Sequence, residues 1–180
     1  MIISSRTRRA TTITAASLTL ALGGLAAAAP AYAADSATCV TYGAVSDYLH
    51  TQTTTPGITA ITIATDHFAI TAAGSGLDCD WANGVQDSVA ISDSGQVIMS
   101  AGSDSGTGGN SYFAPQTESA DSLNFQADGN LVAYLNGTPV WATGTHTYPQ
   151  AIFAIQDDGN FVIYPSSSDF AALWDSGTEN

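Results

Sequence analysis

One decapeptide frame occurs twice in this chain. Residues 125–134 read Phe-Gln-Ala-Asp-Gly-Asn-Leu-Val-Ala-Tyr, and residues 155–164 read Ile-Gln-Asp-Asp-Gly-Asn-Phe-Val-Ile-Tyr. The shared pattern is Gln-x-Asp-Gly-Asn-apolar-Val-x-Tyr, at an offset of 30 residues. An eroded third copy spans Ile91–Ser100 and keeps the glycine and the apolar pattern. Short Trp-containing segments recur alongside: Trp81-Ala82-Asn83-Gly84, Trp141-Ala142-Thr143-Gly144 and Trp174-Asp175-Ser176-Gly177, with Phe113 where a further aromatic is due. A unit of this length cannot bury its own apolar face, so three units must share one core. The repeat predicts a pseudo-threefold all-β body.

Local chemistry agrees. Asp128-Gly129 and Asp158-Gly159 predict two-residue hairpin turns, because glycine tolerates positive φ. Their flanks alternate with period two. One parity is apolar and is assigned to the core: Phe125, Leu131 and Ala133; Ile155, Phe161 and Ile163; Ile91, Val97 and Met99. The other parity holds Gln126, Asp128, Asn130, Val132 and Tyr134, and again Gln156, Asp158, Asn160, Val162 and Tyr164. Amides and a carboxylate on one face are costly to bury unpaired. Folding at the turn draws each polar set into a patch about the size of one sugar ring, with strands ~4.8 Å apart. Donors, acceptors, a phenol and an apolar valine floor together suit a neutral polyol.

Charge narrows the alternatives. All three basic residues, Arg6, Arg8 and Arg9, precede position 10, and there are 16 carboxylates. The apolar stretch 13–29, Pro30 and Ala31-Tyr32-Ala33 complete a secretory signal over residues 1–33. Its removal leaves a formal charge of −16 and no Lys or Arg. Nucleic-acid binding, a phosphate loop, a Schiff-base lysine and attraction to an anionic membrane are excluded, and no membrane insertion is expected after signal removal. Cys39 and Cys79 both lie in the exported part, which predicts one disulfide in an oxidising compartment. His50, His67 and His146 lack close ligand spacing, so no metal or cofactor is expected.

The repeated Gln-x-Asp-x-Asn-x-Val-x-Tyr frame with interleaved tryptophans resembles the bulb-type (monocot) mannose-binding lectins and their bacterial relatives, over residues 80–180. The resemblance implies a β-prism II fold of three four-stranded antiparallel sheets with the tryptophans at the centre. It also implies metal-independent binding of α-mannose: Asp and Asn on O2, Gln on O3, Tyr on O4, Val against the ring. Carried over, one site is Gln126, Asp128, Asn130, Val132 and Tyr134. The other is Gln156, Asp158, Asn160, Val162 and Tyr164. The third copy departs, with Ser92, Ser94, Gln96, Ile98 and Ser100 at the five positions. The two serines are too short to replace Gln and Asp, so that copy reads as structural. Weak single-site affinity would call for multivalency, including a homodimer. Only Asp175–Asn180 follow Trp174, which leaves little chain for strand exchange.

Residues 34–79 read as an extension of the lectin body, stapled to it by Cys39 and Cys79. Within it, Thr51–Thr55 with Pro56-Gly57 reads as a linker or turn, and Ile58–Ala64 and Phe68–Ala72 as a hairpin around Asp66. Asn136-Gly137 reads as a turn within a glycosylation sequon. No catalysis is expected. Asp104-Ser105-Gly106 resembles a protease nucleophile loop but sits in a Gly/Ser-rich run, and no Gly-x-Ser-x-Gly elbow occurs. The reading is a secreted lectin for neutral mannose-containing glycans. Its rivals are a lectin-like bacteriocin that docks through the same sites and an interaction module whose sites are silent.

Overall fold

A computed structural model describes residues 8–11, 36–46, 50–55, 58–103, 111–115 and 119–179. Of the expected signal over residues 1–33, only Arg8–Thr11 falls among these residues. Asp104-Ser105-Gly106 lies outside them, as do residues 104–110 as a whole.

The first part of the chain is a long ribbon. Strand β1 (Arg8–Thr11) is followed by β2 (Ala37–Tyr42), β3 (Val45–Ser46), β4 (His50–Thr55), β5 (Ile58–Ala64), β6 (Phe68–Ile70) and β7 (Ser75–Trp81). Strand β4 pairs with β5, β3 with β6 and β2 with β7, all antiparallel. The segment thus runs out through three sheets and returns beside itself. Its corner between β2 and β3 needs Gly43. There φ is +68°, and an added Cβ would run into the Ser75 side chain, coming 2.8 Å from its Cβ. Across the same corner the Ala44 N–H donates to Ser75 Oγ at 2.9 Å and the Thr71 N–H to the Ala44 carbonyl at 2.9 Å.

Three meanders follow, one per sheet. They are β8 (Val85–Ile91), β9 (Val97–Ser103) and β10 (Ser111–Phe113); then β11 (Ser122–Phe125), β12 (Leu131–Leu135) and β13 (Thr138–Ala142); then β14 (Ile152–Gln156), β15 (Phe161–Tyr164) and β16 (Trp174–Asp175). Each meander adds to one ribbon pair. The sheet orders are β1-β2-β7-β8-β9-β10 (sheet A), β13-β12-β11-β6-β3 (sheet B) and β16-β15-β14-β5-β4 (sheet C). The result is a pseudo-threefold β-prism. Strand β1 comes from the segment read as an export signal. Without it every sheet has five strands.

Several expectations change here. The sheets have five strands rather than four, because residues 37–81 supply two to each. Thr51–Thr55 is not a linker but part of β4, as a run of β-branched residues favours. Strands β5 and β6 do not form a hairpin. They belong to sheets C and B, and Asp66 (φ +64°) turns the chain between them. The Asp-Gly turns are three-residue loops. Gln126 N–H meets the Asn130 carbonyl at 2.8 Å, Gly129 N–H meets the Gln126 carbonyl at 3.0 Å, and Gly129 has φ +90°. That is a type I turn closed by a glycine bulge, and it recurs at Ser92–Gln96 and Gln156–Asn160. The two-residue turn is Asn136-Gly137, with φ of +51° and +76°.

The core parity is as expected. All nine of its residues lie in the central cluster, which includes Phe153 between Phe68, Phe125 and Phe161 at centroid distances of 6.0, 6.1 and 6.3 Å. Phe113, Trp141 and Trp174, one from the outermost strand of each meander, meet edge to face at 5.4–6.0 Å. Trp81 stands apart from this triad. It is buried on β7 and donates its indole N–H to Asp87 Oδ2 at 2.6 Å. Cys39 and Cys79 face each other in the β2–β7 register and are joined by a disulfide.

Candidate functional site

The outward parity of sheet B gathers part of the predicted set. Register places Asn124 opposite Val132 and Ser122 opposite Tyr134. Gln126 lies one outward row beyond Val132, on the opposite side from Tyr134. Gln126 Nε2 donates to Tyr134 Oη at 2.6 Å across that row, and Val132 is only 3% exposed. The pair borders an open cavity of about 480 Å3, which continues over Asn124, Ser122, Ala69 and Asp66. That volume is in the range of small-ligand clefts.

Asp128 and Asn130 have local work. Asp128 is exposed at the hairpin tip, and its Oδ1 accepts the Asn130 backbone N–H at 3.0 Å. Asn130 Oδ1 accepts from Thr143 Oγ1 at 3.0 Å, the Gly144 N–H at 3.0 Å and the Thr145 N–H at 3.2 Å. Thr145 Oγ1 in turn donates to the Gly129 carbonyl at 2.6 Å. The asparagine therefore ties the segment after β13 to the turn. Its Oδ1 has a structural job that the sequence reading did not find.

Sheet C repeats this wiring. Gln156 Nε2 donates to Tyr164 Oη at 3.1 Å, and the Asn160 N–H donates to Asp158 Oδ1 at 2.9 Å. Asn160 Oδ1 accepts from Ser176 Oγ at 2.9 Å and the Thr178 N–H at 3.4 Å. These contacts explain the Trp-containing repeat. Trp141-Ala142-Thr143-Gly144-Thr145 and Trp174-Asp175-Ser176-Gly177-Thr178 place an aromatic on the axis and hydroxyls on the asparagine. In the third unit Pro115 stands where Thr143 and Ser176 do, and Gln96 stands in place of the asparagine.

The two copies differ in cover. Val162 is 2% exposed and Gln156 and Tyr164 are 6% exposed. Ala60, Ile152, Ala154, Val162 and Tyr164 form an outer apolar cluster with Phe170 packed on it. Phe170 meets the Tyr164 ring edge to face at 5.3 Å. Burial, with Asp158 and Asp175 nearby, pushes the Tyr164 phenol above its ordinary range despite the Gln156 hydrogen bond. The third copy, on sheet A, is regular. Ser92 Oγ and Ser94 Oγ bond each other at 2.9 Å, and Gln96 Oε1 accepts from Tyr112 Oη at 3.2 Å.

Sequence reasoning missed Asn124, Ser122, Ala69 and Asp66 along the cavity, and Phe170 over the second copy. Asn124 carries a legible signal, since it continues the outward parity two residues before Gln126. Ala69 and Asp66 do not, because only the ribbon brings β6 beside β11.

No protein-family model matches the chain, and no curated protein matches it. Among solved structures, the chain is similar to the Japanese Marasmius oreades lectin at 23% identity, covering 76% of this chain and 92% of that one, with a TM-score of 0.43.

Proposed function

We propose that this chain is an exported carbohydrate-binding protein that holds a neutral, mannose-type hexose without a metal and without catalysis. The observation that carries the reading is the Gln126–Tyr134 pair over Val132 at the rim of an open cavity. Gln126 Nε2 donates to Tyr134 Oη, and sugar hydroxyls would take over both groups while the ring covers Val132. Asn130 presents Nδ2, because its Oδ1 is engaged, and Asp128 presents acceptors at the tip. The Cys39–Cys79 disulfide is compatible with an oxidising, extracellular setting. A chain with no cation after Arg9 suits an uncharged partner rather than nucleic acid.

About four net hydrogen bonds at ~1 kcal/mol each, less the cost of ordering, give affinity in the millimolar range. Useful retention then requires several sites, on one chain or in a homodimer. Titration calorimetry or NMR with methyl α-mannoside tests this. Saturable binding is expected, reduced at least tenfold by Gln126→Ala or Tyr134→Phe with the circular dichroism unchanged. The Asn130 and Asn160 contacts favour a second reading, a silent scaffold, and such a scaffold would never take up the glycoside.

Sheet C carries the same five residue types, with Phe170 packed over Val162 and Tyr164. One equivalent of glycoside is therefore expected per chain at moderate concentration. Phe170→Ala should add a second equivalent, seen as new amide shifts around Val162. If the stoichiometry stays at one in that variant, Gln156, Asp158, Asn160, Val162 and Tyr164 serve the fold alone.

A further inference from the structure

The cavity on sheet B is not centred on the repeated motif. From Tyr134 on β12 it crosses β11 at Ser122 and Asn124 and reaches Ala69 on β6. That is two strand spacings, ~10 Å, wider than one pyranose ring. The far half exists because the ribbon adds β6 to the sheet. Its floor is low where the outward residue on β6 is alanine, and its wall is Asp66 in the turn after β5. The Asp66 backbone is held there by a 2.9 Å hydrogen bond from its N–H to the Phe125 carbonyl. Its carboxylate is exposed.

Sheet C supplies the contrast. The residues in register with Ala69, Asn124 and Ser122 are Thr62, Ala154 and Ile152. There Ile152 and Ala154 belong to an apolar cluster with Phe170 packed on it, and Thr62 is buried. The five motif residues are the same in both sheets, so the polar, open extension is particular to sheet B.

We infer that the sheet B groove takes two adjacent residues of a neutral glycan, the first ring at Gln126, Val132 and Tyr134 and the second over Ala69 between Asn124 and Asp66. This rests on the proposed sugar site and names its ligand as a disaccharide or longer chain. An amide offers both donor and acceptor, and a carboxylate accepts from paired hydroxyls, so the second subsite reads hydroxyls as the first does. The gain is that of a tethered second contact, in which the ordering of the first ring is already met.

The test compares methyl α-mannoside with α-linked mannobiose by calorimetry, on the wild type, Asp66→Gly and Ala69→Leu. Glycine keeps the positive φ that position 66 requires, and leucine fills the groove from β6. Neither position belongs to the repeated motif. The expected result is at least tenfold tighter binding of the disaccharide by the wild type. Both variants should lose most of that gain while holding the monosaccharide within twofold. Equal affinity of the wild type for the two sugars, or a gain that survives both substitutions, overturns the second subsite and leaves the sugar site standing. Failure of both sugars to bind the wild type overturns the sugar site, and the second subsite with it.

Discussion

Asp87→Asn will remove most of one component of the pH dependence of folding and will stabilise the protein at neutral pH. Asp87 is 2% exposed, and its Oδ1 has no hydrogen-bond partner among the described residues. Burial is the main cause that raises its pKa from 3.8 to about 7. The Trp81 hydrogen bond opposes the shift, and Asp158 and Asp157 add to it. The folded chain therefore keeps this proton between pH 3.8 and about 7, where the unfolded chain has released it. More protons bound to the folded state means that stability falls as pH rises through that window. Below it the group contributes no penalty. Above it the full penalty applies, about 4 kcal/mol. Asparagine accepts from Trp81 and carries no charge. Denaturant midpoints of wild type and variant at pH 4 through 8 should diverge steadily, with the variant gaining as pH rises. Repulsion among the other carboxylates is common to both proteins and cancels in the comparison. The NMR shift of the Trp81 indole proton should follow the Asp87 titration near neutrality in the wild type alone. A difference independent of pH would put Asp87 back in the ordinary carboxylate range.

Reduction of the Cys39–Cys79 bridge should cost about 4 kcal/mol, from the entropy released when a closed loop of this length opens in the unfolded chain. The two cysteines are separated by 40 residues and sit directly across from each other on β2 and β7. Both are buried in the core cluster, so no new cavity forms when the bond alone is broken. In a chain of this size, that loss lowers the melting temperature by on the order of 10 °C. Thermal melts with and without reductant measure it. Cys39→Ala with Cys79→Ala should fall further, since two buried sulfurs are also lost. An unchanged midpoint under full reduction would show that the ribbon holds its register without the bond.

Much of the prism was legible because its signals are local. The period-two apolar parity named Phe125, Leu131, Ile155, Phe161, Val97 and their partners as core, and each is buried. The glycine of each copy marked a turn, although the turn takes three residues where Asp-Gly suggested two. What stayed hidden is non-local. Nothing near Thr51 says that its strand will pair with β5, or that β6 will lie beside β11 across more than fifty residues of chain. The amide of Asn130 looked free on an exposed face because Thr143 and Thr145 come back to it only after a whole hairpin. Phe170 lies in a segment with no repeat partner, so its place over Val162 and Tyr164 has no counterpart in the other units. The candidate site is legible in its five residue types and illegible in its neighbours.

The out-and-back course of β2 through β7 also bears on the order of assembly. Its tightest pairing, Thr55 with Ile58, closes over the shortest stretch of chain, and each later pair lies farther apart in sequence. Loop-closure entropy grows with that separation, so the cheapest route is to zip from β4 and β5 toward the cysteines. The covalent bond then forms last, as a buckle on a finished hoop. A hoop of this kind makes the three meanders interdependent: the loss of any one would bare a stretch of the belt in all its unpaired amides.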